Sequence, residues 1–265
     1  MGETAPLVLD SVTHLPGRAA GAVACCASHG GVYAAWYAAR RGAAAMILHD
    51  AGIGREAAGI GGLAWLQARG VPGACVGHET ARIGEGADMM ARGTLSAVNA
   101  AAVSCGLGIG MSCAEALRLL QAARLPAAEP PADLDEARHE VAPGVVALDS
   151  NGLVMPGDVG RIVVTGSHGG LLGGRAETAV KAAVRGALYN DAGIGIDRAG
   201  LSRLPALDAR GIAAATVSCF SARIGEGLST WHDGWISAVN VTAAAQGGRI
   251  GQSAREFVAA LLEHA

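Results

Sequence analysis

Asp50-Ala51-Gly52-Ile53-Gly54 occurs twice in this chain, returning as Asp191-Ala192-Gly193-Ile194-Gly195. Downstream, Ala81-Arg82-Ile83-Gly84-Glu85-Gly86 returns as Ala222-Arg223-Ile224-Gly225-Glu226-Gly227, and Ser96-Ala97-Val98-Asn99 as Ser237-Ala238-Val239-Asn240. The offset is constant at 141, so Asp50–Gln121 aligns with Asp191–Leu262 without a gap, with about 32 of 72 positions identical. Upstream, Ser28-His29-Gly30-Gly31 matches Ser167-His168-Gly169-Gly170, and Asp10-Ser11 matches Asp149-Ser150, at an offset of 139. A repeat on this scale reorganises every later inference. It predicts an internal duplication over residues 9–123 and 146–265, joined by a proline-rich, acidic linker over 124–145, with pseudo-two-fold symmetry between the halves.

Each half carries short apolar runs bounded by glycine or polar turn residues. They are Ala22–Cys26, Ala44–Leu48 and Val71–Val76 in the first half, and Ile162–Thr165, Ala187–Tyr189 and Ile212–Val217 in the second. Continuous apolar runs of this length suit strands buried on both faces. Helical stretches are expected between them at Val32–Arg41, Ala58–Arg69, Glu177–Arg185 and Leu201–Arg210. Gly70 and Gly211 stand where a helix terminates in a left-handed residue, and Ala87–Cys105 and Ala254–Glu263 read as outer helices. The fold class is therefore α/β, a three-stranded parallel β-α unit used twice. Ligands on such sheets bind beyond the carboxyl ends of the strands, where all three repeated motifs fall.

Composition narrows the function classes. Hydrophobic residues make up 51 % and aromatics 3 %, so the core is built from Ala, Val, Leu and Ile. The net charge is −3 and no Lys/Arg run exists, which argues against a nucleic-acid or anionic-membrane partner. No stretch of about 18 strongly apolar residues suggests a transmembrane helix, and Met1–Pro6 does not begin a secretory signal. The six cysteines form no Cys-x-x-Cys, so a reducing cytoplasm is the expected setting. The excess of apolar residues points to a homo-oligomer.

The motif residues carry the chemistry. Gly30, Gly31, Gly169 and Gly170 sit where backbone N–H groups at a strand-to-helix turn hold a carboxylate, phosphate or oxyanion. His29, His168 and Ser167 stand at the rim of that cradle. Asp50 and Asp191 end the second strands, placed to orient a histidine or take a proton; the alternative is an Asx-turn. Arg82 and Arg223 offer a bidentate fork to a substrate carboxylate, unless each pairs with its own Glu85 or Glu226 three residues later. Asn99 and Asn240 read as structural. Cys219 occupies the place of His78, and a Cys near a His suits nucleophilic catalysis. The apolar run ending in His168-Gly169, with Cys219 after a later strand, resembles caspase-like cysteine peptidases over those two short stretches alone, and that family's function is not carried over. A divalent metal held by His29, Asp50, His78 and Glu79 is a further alternative; otherwise no cofactor is expected, because the dinucleotide and P-loop glycine patterns are missing.

These features predict a cytoplasmic enzyme for a small polar, carboxylate-bearing metabolite, a hydrolase of C–N bonds working at strand-end loops of both repeats. His168 is the expected base, Asp191 its orienting group, Arg223 the anchor and Cys219 the nucleophile or a bystander, with His29, Asp50, Arg82 and Glu79 contributed by the first repeat. An isomerase or proton-transfer enzyme, a metal-dependent hydrolase and a non-catalytic small-anion binder are the alternatives.

Overall fold

Alternation along the strands decides the architecture. A computed structural model describes residues 6–17, 19–125 and 130–264. It is a mixed α/β protein with two mostly parallel sheets, of five and six strands. The chain divides into two units. The first comprises Met1–Ile53, Ala57–Leu134 and Gly195–Asp197; the second comprises Gly54–Glu56, Asp135–Ile194 and Arg198–Ala265.

In the first unit the sheet runs in sequence order through β1 (Leu7–Leu9), β2 (Val23–His29), β3 (Ala45–His49), β4 (Gly73–Val76) and β5 (Leu95–Val98). The first four are parallel and β5 pairs antiparallel with β4. Successive side chains point to opposite faces, so the sheet has two cores. Ala24, Cys26, Met46 and Leu48 pack on one side with α1 (Val32–Arg40) and α2 (Gly62–Gln67). Val23, Cys25, Ala27, Ala45 and Ile47 pack on the other, with α3 (Gly86–Arg92), α4 (Ala100–Ser104) and α5 (Cys113–Ala122). Alanine on so many facing positions loses no side-chain rotamer entropy on burial.

The second unit orders its strands β11-β10-β9-β8-β7-β6. The central four, β7 (Val145–Leu148), β8 (Ile162–His168), β9 (Gly186–Asn190) and β10 (Ala213–Val217), are parallel. Antiparallel β6 (Arg138–Ala142) and β11 (Ile236–Val239) flank them. Val163, Ala187 and Ala214 face α6 (Arg203–Asp208), while Ile162, Val164, Leu188 and Ala215 face α8 (Val241–Ala245) and α9 (Ala254–Glu263). The short α7 (Gly227–Asp233) runs beside β8. A capping box, Ser253 with Glu256, starts α9.

Several sequence expectations change. Each sheet has more than three strands: β1 and β5 join the first, and β6, β7 and β11 the second. Ala87–Cys105 is α3, β5 and α4 rather than one helix; Gly93 terminates α3 and Asn99 restarts the chain as α4. Glu177–Arg185 holds a 3₁₀ turn over Ala176–Thr178 and then irregular chain. There Arg203, buried within α6, ties down the carbonyls of Gly170, Thr178 and Ala179. Strand β6 lies inside the stretch read as linker, of which residues 126–129 are outside the described residues.

The asparagines are structural, as expected. Asn99 Oδ1 accepts from Gly73 and Ala102 N–H while its Nδ2 donates to Val71 O. Asn240 repeats the set with Ala214, Ala243 and Ile212. Asp10 and Asp149, the upstream repeated acids, accept the first amides of α3 and α7, from Gly86 and Gly227.

Two glycines separate close approach from backbone conformation. A Cβ on Gly59 would sit 2.1 Å from the Asp50 carbonyl oxygen, whereas one on Gly70 (φ +65°) would meet nothing within 4 Å. Gly59→Ala is expected to destabilise by roughly 3 kcal/mol or more because backbone must move, and Gly70→Ala by about 1 kcal/mol from its left-handed φ alone. Denaturant unfolding of the two variants checks the ranking.

Candidate active site

The Asp-Ala-Gly-Ile-Gly motif is a left-handed turn. Ala51, Gly52, Ile53 and Gly54 have φ of 49°, 77°, 61° and 68°, and Ala192, Gly193, Ile194 and Gly195 have 52°, 75°, 63° and 68°. A β-branched residue at positive φ is a genuine outlier, and each such residue costs about 1–3 kcal/mol. The strain is held by the aspartate that opens the turn. Ile53 N–H donates to the Asp50 carbonyl, and Gly52 N–H to its Oδ1 at 3.0 Å; Ile194 and Gly193 do the same with Asp191.

In the first unit the Asp50 carboxylate does more. Its Oδ1 also accepts His78 N–H at 2.9 Å and His78 Nδ1–H at 3.0 Å, and Oδ2 accepts the Ser96 hydroxyl at 2.8 Å. Asp50 is 1 % exposed. Burial pushes its carboxyl up, but the hydrogen bond from His78 and the neighbouring His49 outweigh this, and the net shift is downward. The His78 ring keeps 24 % of its surface exposed. With Nδ1–H on the carboxylate, the lone pair of the neutral ring is on Nε2, the tautomer a general base requires.

His29 and His168 carry the opposite tautomer. His29 Nδ1 accepts Gly31 N–H and His168 Nδ1 accepts Gly170 N–H, each at 3.2 Å. In the neutral ring the proton of each therefore sits on Nε2. This corrects the expectation of His168 as base. Burial and the nearby His49 push His29 down to about 4, so at neutral pH it is an uncharged donor. His49 is also fixed: Nδ1 accepts Ala51 N–H, Nε2 donates to Ala81 O, and burial lowers its proton affinity. In the second unit Asn190 replaces it, with Oδ1 accepting Ala192 N–H and Nδ2 donating to Ala222 O.

The glycine amides do not form the expected anion cradle. Gly30 and Gly169 N–H donate to the carbonyls of His49 and Asn190, and those of Gly31 and Gly170 are taken by the histidines. Glycine is needed there for contact: a Cβ on Gly30 would lie 2.5 Å from Cys75 Sγ, and one on Gly169 2.3 Å from the Gly200 oxygen. The Ser167 hydroxyl accepts Asn151 N–H at 2.8 Å, as Ser28 accepts Val12 N–H. Asp191 Oδ1 accepts Gly193 and Cys219 N–H, the Asx-turn role. Cys219 is 2 % exposed.

The arginines are already paired. Arg82 contacts Glu85, Asp88 and Asp197, and Arg223 contacts Glu226 and Glu56. Both guanidiniums thus serve carboxylates of the protein rather than standing ready for a substrate's. Among the described residues no three His, Cys, Asp or Glu side chains gather in a form that could hold a metal ion. Of that candidate set His78 and Asp50 meet, while Glu79 is exposed. Among the described residues no helix is long and apolar enough to cross a membrane.

Sequence reading missed His49 and Ser96 as partners of this cluster. Ser96 repeats as Ser237, which bonds Thr216 instead of Asp191; repetition alone does not report that difference. No protein family, curated protein or solved structure matches this chain.

His29 is expected to stay neutral down to about pH 4, followed by its ring resonances in NMR. Its folded value lies below the ordinary 6.5, so the unfolded chain binds the proton first. The stability linked to His29 is complete above pH 6.5 and is lost as pH falls toward 4. His29→Gln is expected to flatten the pH dependence of unfolding in that window.

Proposed function

We propose that the first unit is an acid–base enzyme site for a small polar metabolite, and that its reaction is hydrolysis of a C–N bond. The observation that carries the reading is the hydrogen-bonded chain Ser96–Asp50–His78, which fixes the basic tautomer of a partly exposed imidazole. In this scheme His78 Nε2 takes a proton from water while the water oxygen adds to the substrate's carbonyl carbon. The imidazolium, steadied by Asp50, then returns the proton to the departing nitrogen as the C–N bond breaks. His29 Nε2–H stabilises the oxyanion as an uncharged donor, a role a lowered imidazole performs well. The three groups stand at the ends of β2, β3 and β4, adjacent strands of one sheet. A proton-transfer reaction such as isomerisation would use the same two imidazoles.

The second unit keeps the donor, His168, but has Cys219 where the base would be. That difference supports an internal duplication in which the copies have specialised. With Arg82 and Arg223 paired, a carboxylate on the substrate is not required by this reading.

A panel of small linear and cyclic amides, scored for ring opening or amine release, tests the proposal. For a substrate found this way, His78→Gln and Asp50→Asn are expected to lower kcat by roughly 10²–10⁴-fold, and Ser96→Ala by about tenfold, with melting temperatures within a few degrees of wild type for His78→Gln and Ser96→Ala and a lower one for Asp50→Asn, whose carboxylate also holds the turn. His168→Ala and Cys219→Ala are expected to retain turnover. Loss of activity in those two, with His78→Gln still active, would move the chemistry to the second unit.

A further inference from the structure

Sulfur lies on both faces of the first sheet, and on one of them thiols and a thioether meet. Cys25 and Cys113 are fully buried in the core between β2, α3 and α5, and Met90 and Cys105 pack against that core from partly buried positions. Cys25 Sγ and Cys113 Sγ are 3.6 Å apart, and Cys113 Sγ is 3.8 Å from Met90 Sδ. These sulfurs come from three separate elements, a strand and two helices, so local sequence does not account for their meeting.

The fold does not need sulfur there. At the offsets of the repeat, Cys25, Met90 and Cys113 correspond to Val164, Trp231 and Ala254. Val164 and Ala254 are buried in the second unit's own core, where Trp231 packs against them. The same architecture is thus filled by hydrocarbon and indole in one unit and by two thiols and a thioether in the other.

We propose that Cys25, Cys113 and Met90 form a binding site for one soft monovalent cation, of which copper(I) is the type. Thiolate and thioether donors select such ions over harder ones. At a metal–sulfur distance of about 2.3 Å, three sulfurs around one ion in a plane stand about 4 Å apart, a few tenths of an ångström wider than the two separations seen. Binding forms two metal–thiolate bonds and one metal–thioether bond and releases the two thiol protons; no electron is transferred. Met90, the partly exposed member, gives the ion its route from solvent.

The test is an anaerobic titration of the reduced full chain with copper(I), against a chromophoric chelator that competes for the ion. The expected result is one ion per chain withdrawn from the chelator, with a near-ultraviolet thiolate-to-copper band and a raised melting temperature. Cys25→Val and Cys113→Ala place in this site the residues the second unit already tolerates, so both are expected to fold, as circular dichroism will show. Each is expected to weaken binding at least tenfold, Met90→Leu by less, and Cys105→Ala not at all. The proposal is overturned if the Cys25→Val/Cys113→Ala variant competes as well as wild type, if Cys105→Ala removes the binding, or if the wild-type mass falls by two hydrogens with no metal gained, which would mean a disulfide instead.

Discussion

Four hydrogen bonds converge on the Asp50 carboxylate, and the loops of the first unit are arranged around that convergence. A buried carboxylate is costly unless donors replace its water. Here the donors come from the left-handed turn (Gly52), from the chain leaving β4 (His78, by both backbone and ring) and from β5 (Ser96). One side chain therefore joins three segments that the sheet itself brings only to neighbouring ends. The conformational cost of a left-handed Ile53 is tolerable because the carboxylate and the Asp50 carbonyl over-determine the turn.

The two tautomers follow from the same economy of donors. Where a backbone amide donates to Nδ1, as at His29, His49 and His168, the ring's proton is forced to Nε2. Where a carboxylate accepts from Nδ1, as at His78, the proton stays there. The four imidazoles thus divide by which ring nitrogen faces the protein's donors and acceptors, and burial lowers the proton affinity of His29 and His49. The second unit has no imidazole at that position: Cys219 offers its amide to Asp191 where His78 offers amide and ring to Asp50.

The α/β class was legible from apolar run length, and six strands lie where those runs fall. Strand β5 was not legible, because Leu95–Val98 sits between two short helices whose apolar spacing merges with its own into one long helical pattern over Ala87–Cys105. Gly93 and Asn99 were the marks of the break. At the site, repetition pointed to Asp50, His29 and the glycines but misjudged what they do. A Ser-His-Gly-Gly turn looks the same in sequence whether its amides face a ligand or, as here, the carbonyl of the next strand and the ring of its own histidine. The arginines were equally ambiguous: Arg and Glu three residues apart suit a substrate anchor or an ion pair, and it is Asp88, six residues on, with Asp197 and Glu56, remote in sequence, that complete the ion pairs. Ser96 and Ser237 are identical in sequence context and differ in partner.

Because the aspartate grips the backbone amide of residue 78 in one unit and of residue 219 in the other, each turn is held through the main chain whichever side chain stands at that position. A histidine and a cysteine have both been accommodated there on the same scaffold. The side chain at this strand end therefore differs between the units while the turn before it is preserved.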